Sequence, residues 1–276
     1  MLRLLLISLL VFGANLLAAQ EGAITSPKSE TTAPSAGTLA YDPAKLAAAI
    51  RDSYYHPDAL SGLDCSISVD WPAFFGALKL NLAADRLKAI QGLKIRSQAA
   101  RDTKPEVTFE WTGGSLDNKE QFEDGLRQTL GGFYQVYWSM VASSPISNAA
   151  ELSKIEPLPS GEVKVYISSQ NVKVVITADK ERTPTHYTLD SPAMNGAIDL
   201  QYAASPHPVP GDLRRISRMD MSEQIGNSTM NVKLSLDYQT VESFYVPRHV
   251  SYDIVGAYSL SMDFSGCSVS KGAIVH

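Results

Sequence analysis

Tyr258-Ser259-Leu260-Ser261-Met262-Asp263-Phe264-Ser265-Gly266-Cys267 alternates apolar and polar side chains, then ends on a glycine and a cysteine. A period of two places Tyr258, Leu260, Met262 and Phe264 on one face of a strand and the polar residues on the other. That is the pattern of a half-buried antiparallel strand. Reading back toward the amino terminus, the same alternation returns in Val232, Leu234 and Leu236, and again in Val163, Val165 and Ile167. The expected strand units are 161–168, 171–178, 184–190, 195–203, 212–221, 229–239, 242–254 and 256–266. Turn residues separate them: Pro159-Ser160-Gly161, Ser191-Pro192 and Gly226-Asn227. Residues 205–211, with three prolines, read as a loop or exposed crossing. No repeat of fixed period runs through the series.

The first half of the chain mixes helices with strands. Asp42 and Pro43 suit an N-cap and first helical position, with Leu46, Ile50 and Tyr54 on one face and a stop at His56-Pro57. Leu63, Cys65, Ile67, Val69 and Trp71 then alternate with Asp64, Ser66, Ser68 and Asp70, a strand whose apolar face carries Cys65. Asp70 and Pro72 open a further helical stretch, either one helix or two short ones divided near Leu80-Asn81. Residues 93–100 and 105–111 form a strand pair about a polar turn at 101–104. Asp117 with Glu120 predicts the capping pair of the longest helix, whose stripe is Phe122, Leu126, Leu130, Phe133, Tyr137 and Met140. Gly131-Gly132 marks a weak point or a close approach within it. Ser144-Pro145 ends it. The fold class expected is α+β: a large antiparallel sheet of about ten strands with two or three helices covering one side.

The amino terminus reads as a secretory signal. Arg3 supplies the positive region, Leu4 to Phe12 the apolar core, and Ala18-Ala19 a small-residue exit with cleavage expected near Ala19. Residues 20–41 are rich in Ser, Thr, Ala and Pro and read as a linker, with one domain expected over 42–276. The chain has 276 residues and a net charge of −5; without the first nineteen residues and the charge of Arg3, 257 residues and −6 remain. That balance gives no footprint for nucleic acid or for simple adsorption to anionic lipid. Cys65 and Cys267 are the only cysteines. In an exported chain they read as one structural disulfide between distant strands. The expected location is periplasmic or extracellular.

Catalytic signatures are scarce. The chain lacks GxSxG, HExxH, a phosphate-cradling GxxxxGK[ST] and a dinucleotide fingerprint, so no catalytic residue, cofactor or metal ligand is assigned. His186 and His249 fall on strands, where a hydrogen-bonded structural role is the default. Carboxylate pairs formed across a fold are invisible in one sequence, which keeps an unrecognised hydrolase as a third reading. The aromatic density of the helices points instead to binding. Trp71, Phe74 and Phe75 lie in one, and Phe133, Tyr134, Tyr137 and Trp138 in the other, with Met140 beyond them. Tyr134 and Trp138 lie off the main stripe, so this helix is apolar on two sides. Two readings stay open: core packing, or one face toward the sheet and another toward a hydrophobic ligand. Asn227-Ser228-Thr229 is a glycosylation sequon on a turn.

Asp237-Tyr238 through Val246-Pro247-Arg248, followed by the alternating last strand, resembles the carboxy-terminal half of the periplasmic lipoprotein-carrier superfamily. The closest likeness covers residues 237–267. More loosely, the order of signal peptide, early helix, strand, mid-chain helices and strand meander also fits. The resemblance implies a half-open, barrel-like antiparallel sheet whose concave side is lidded by helices and holds acyl chains without chemistry. On that reading the eight residues Trp71, Phe74, Phe75, Phe133, Tyr134, Tyr137, Trp138 and Met140 are cavity candidates, and the partner is a lipid or an acylated protein. The competing expectation is a non-catalytic envelope scaffold with a packed core.

Overall fold

A computed structural model describes residues 41–272 apart from 81, 115, 145, 147–151, 170–171, 192–194, 204–212 and 226–227. The expected signal peptide and most of the expected linker, the sequon's Asn227 and all of the proline-rich stretch 205–211 therefore lie outside the described residues. Twelve strands form a single sheet: β1 (Leu60–Val69), β2 (Leu93–Ala100), β3 (Glu106–Trp111), β4 (Leu152–Pro157), β5 (Val163–Ser169), β6 (Val172–Ala178), β7 (Pro184–Asp190), β8 (Asn195–Ala203), β9 (Arg215–Ile225), β10 (Ser228–Val241), β11 (Phe244–Ile254) and β12 (Tyr258–Lys271). Their order is β3-β2-β1-β12-β11-β10-β9-β8-β7-β6-β5-β4, every pairing is antiparallel, and β3 and β4 are the edges. The sheet is not closed into a barrel.

The α+β class holds, and the counts are corrected. Among the described residues the expected ten or so strands are twelve, and the expected two or three helices are four: α1 (Pro43–Arg51), α2 (Trp71–Ala77), α3 (Ala84–Gln91) and α4 (Lys119–Val136), the last running into a π-helical turn at Tyr137–Val141. The unanticipated strand is β4. Its side chains alternate poorly, with only Ile155 fully buried, because an edge strand packs little on either side.

Local chemistry explains most element ends. The Asp42 carboxylate accepts from the Ala44 and Lys45 amides at 3.0 and 3.4 Å, with Pro43 at the first turn of α1. Asp70 accepts from the Ala73 amide at 3.0 Å and starts α2. Three expectations fail. Helix α1 stops at Arg51 instead of reaching His56, because Tyr54 leaves it to form a bridge with Arg214. The Asp117 carboxylate does not cap α4; Arg86 donates to it at 2.6 Å, and the cap position falls to Asn118 in a left-handed conformation. Gly131 and Gly132 neither break α4 nor permit a close approach, since a Cβ at either position would meet nothing within 4 Å.

All pairings but one join strands that follow each other in the chain. The exception is β1 with β12, the seam where the amino-terminal strands meet the end of the meander. The Cys65–Cys267 disulfide crosses this seam with its Cα atoms 4.2 Å apart. Register shifts between Asp64 and Ser66, opposite Ser268 and Ser265, so Gly266 and Cys267 bulge from β12 toward Cys65. Gly266 takes the positive φ of 55° that the bulge requires. The Gln239 side-chain amide, reaching over from β10, donates to the Phe264 and Pro247 carbonyls at 2.8 and 2.9 Å and ties β10 to β12 and β11 beside the seam.

The two faces of the sheet differ sharply. Directly paired residues share a face, so the register gives continuous rows. Ile155, Val165, Ile176, Tyr187, Ile198, Met221, Val232, Ile254 and Tyr258 form one unbroken apolar row from β4 to β12. The opposite face carries His186, Asp199, Asp220, Lys233 and Asp253 in an equally continuous row. Among the described residues no helix is long and apolar enough to cross a membrane.

Candidate functional site

The aromatic residues singled out in the sequence converge on one end of the sheet. Trp71 and Phe75 are buried with ring centroids 6.1 Å apart, and Trp71 also meets Phe122 of α4 at 5.4 Å. Phe74 is half-buried against Tyr258 at 5.8 Å. Phe133, Tyr134, Tyr137 and Trp138 are buried, while Met140 is half-buried. Phe133 packs on Phe264 of β12 at 5.4 Å and on Tyr252 of β11 at 6.4 Å, and Tyr134 shares a 2.5 Å hydrogen bond with the buried Ser97 hydroxyl of β2. Both sides of α4 are therefore apolar, as read, and these contacts fall on β2, β11 and β12. The rings are filled against one another along this seam.

Arg101 fastens the far end of α4. One of its terminal nitrogens donates to the carbonyls of Leu60, Ala142 and Pro57 at 2.9, 3.0 and 3.3 Å, and the guanidinium lies 5.8 Å from the centre of the Trp138 ring. It ties the start of β1 to the end of the helical segment, supplying a donor to a carbonyl that the helix leaves orphaned. In the sequence Arg101 reads only as part of a polar turn, because its three acceptors come from segments as far as 44 residues away. Nearby, the buried Tyr137 hydroxyl and Trp138 indole nitrogen have no hydrogen-bond partner among the described residues. Burial pushes the Tyr137 hydroxyl well above the usual tyrosine range. Tyr54 is pushed up to about 12 for the same reason; its hydroxyl faces Ser144 and Tyr187 without full hydrogen-bond geometry to either.

The other half of the apolar face is arranged differently. One register row outward from the nine-strand row lie Leu152, Ile167, Val174, Leu189, Gly196, Glu223 and Met230, running from β4 to β10. All are half-buried except Glu223, which is 4% exposed. This is a rim: inside it Val165, Ile176, Tyr187 and Met221 are buried, and at it the aliphatic side chains still reach solvent. Glu223 is the single ionisable member. Its Oε2 has no hydrogen-bond partner among the described residues, and burial raises its carboxyl above the usual glutamate range. The sequence does not reveal this residue, because Ser222-Glu223-Gln224 looks like an ordinary polar strand end.

The polar face holds an array with the order of an acyl-transfer triad. Asp263 Oδ1 lies 2.7 Å from His249 Nδ1, and His249 Nε2 lies 3.1 Å from the Ser251 hydroxyl. Ser251 in turn lies 3.2 Å from Ser261. Its setting does not suit catalysis. β11 is an interior strand whose amides are held in ladders to β10 and β12, so the backbone offers no donor for an oxyanion. The Asp263 side chain is 66% exposed, so the pair works in water. His186 and Asp199 repeat the motif at 2.6 Å without a serine, which marks a cross-strand polar ladder. Among the described residues no group of three or more His, Cys, Asp or Glu is placed to hold a metal ion. No protein-family model, curated protein or solved structure matches the chain.

Proposed function

We propose that the protein is an exported carrier or sensor that binds a lipid, or the acyl chain of a lipid-modified partner, against the apolar face of its sheet. The observation that carries this is the half-buried rim from Leu152 to Met230, an aliphatic ledge continuous with a buried apolar row. From β4 to β9 the row crosses five strand spacings, about 24 Å. A single acyl chain spans about half of a bilayer's hydrocarbon core, roughly 15 Å, so the ledge is long enough. Each methylene moved from water onto such a surface contributes about 0.8 kcal/mol. On this reading the sheet curls into a half-open wall, and the packed aromatic residues of α2 and α4 brace that wall instead of lining the chain. The signal-like amino terminus, the disulfide and the likeness of residues 237–267 to periplasmic lipoprotein carriers support export and a carrier role.

The density of the aromatic seam favours a second reading, a scaffold whose core is filled throughout. A fluorescent fatty-acid probe separates the two. A carrier shows saturable binding that unlabelled fatty acid displaces and that Val174→Asp or Ile167→Asp abolishes. A scaffold shows no saturable site, and that result would overturn the carrier reading.

A further inference from the structure

Glu223 stands alone in its surroundings. Its direct neighbours across the ladder are Gly196, which has no side chain, and Met230, which has no donor. Gly196 is required there, because a Cβ would lie 2.6 Å from the Ser222 carbonyl oxygen. The next residues on the same face, Met221 along β9 and Leu189 beyond Gly196, are also apolar. The nearest charged residue on its own strand, Asp220, projects to the opposite face, where it accepts from Arg218 at 2.8 Å. Burial raises the Glu223 carboxyl above the usual glutamate range, and among the described residues no cation is placed to offset it. A buried carboxyl oxygen without a donor is costly, and side chains in such positions are normally paired. Leucine at this position would complete the apolar row without that cost.

We propose that Glu223 is the polar anchor of the lipid site and accepts a hydrogen bond from the head of an amphiphile bearing a protonated amine, whose alkyl chain lies along Leu189, Val174, Ile167 and Leu152. The inference rests on the carrier reading and names its ligand class. The ammonium supplies the missing donor and the missing positive charge together, and a charge-assisted bond in a desolvated setting is the stronger kind. An anionic head of the same length would place like charges together and bind more weakly. A neutral alcohol falls between them, since it donates without a charge.

The test compares dodecylammonium, dodecanol and dodecanoate as competitors of a fluorescent fatty-acid probe, each at submicellar concentration and neutral pH, on the wild-type chain and on Glu223→Gln. The expected order is ammonium, alcohol, carboxylate, with at least about tenfold between the first two. Glu223→Gln should keep alcohol binding within about twofold and lose the preference for ammonium. If the wild type binds dodecanol and dodecylammonium equally, the headgroup inference is overturned while the carrier reading stands. If none of the three competes and the probe itself does not saturate, the carrier reading fails. The wild-type selectivity alone decides the inference should the variant not fold.

Discussion

The Cys65–Cys267 bridge offers the most quantitative test of how this fold is held together. The perturbation is Cys65→Ala with Cys267→Ser, chosen because Cys65 is 1% exposed on the apolar face and Cys267 is only partly buried. The bridge closes a span of 202 residues across the one strand pairing that is not local in sequence. In the loop-entropy account, losing a loop of that length releases about 5 kcal/mol of conformational freedom to the unfolded chain. Truncating the buried cysteine adds a smaller packing loss, about 1 kcal/mol. At about 2–4 °C per kcal/mol for a domain of this size, the melting temperature should fall by about 12–24 °C. Thermal unfolding followed by circular dichroism, on the variant and on wild type reduced under native conditions, measures the two contributions separately. A fall of less than about 3 °C in both would refute the view that the seam depends on the staple. So would free thiols titrating in the unreduced folded protein.

Two further outcomes follow from the buried polar groups. Because burial raises the Glu223 carboxyl above its unfolded value, the unfolded chain releases its proton first as pH rises. Stability without ligand therefore falls from the ordinary glutamate range up through the raised folded value and stays lower above it. Glu223→Gln should consequently be more stable than wild type at neutral pH and close to it near pH 3; chemical denaturation across that range checks this, and no stabilisation at pH 7 contradicts it. Tyr134→Phe leaves the fully buried Ser97 hydroxyl without its partner and should cost about 1–3 kcal/mol in denaturant unfolding. Adding Ser97→Ala should restore part of that loss, whereas simple additivity of the two single losses would show that the hydrogen bond is not the coupling.

The proposed amphiphile site and the staple depend on different parts of the sheet. The bridge fixes β1 to β12 beneath the aromatic seam, while the rim runs from β4 to β10. Reduction should therefore lower stability before it alters the rim's register, since every pairing from β4 to β10 joins strands that are consecutive in the chain.

Period-two alternation in β10 and β12 was enough to identify strands, because a half-buried strand writes its two environments directly into the chain. Asp42 and Asp70 likewise announced the starts of α1 and α2, since their carboxylates cap amides only two or three residues away. The aromatic content of α4 was legible for the same local reason. What a strand or helix pairs with is a different matter. That β1 lies beside β12, that Arg86 draws Asp117 away from the helix cap, and that Arg101 gathers three distant carbonyls are decided by contacts across 31 residues or more. Glu223 is the clearest case. As a residue between Ser222 and Gln224 it is one charge among 29 acidic side chains. Only the register that sets it between Gly196 and Met230, on the face that the sheet turns away from its charges, makes it a buried carboxyl with an oxygen that finds no donor among the described residues.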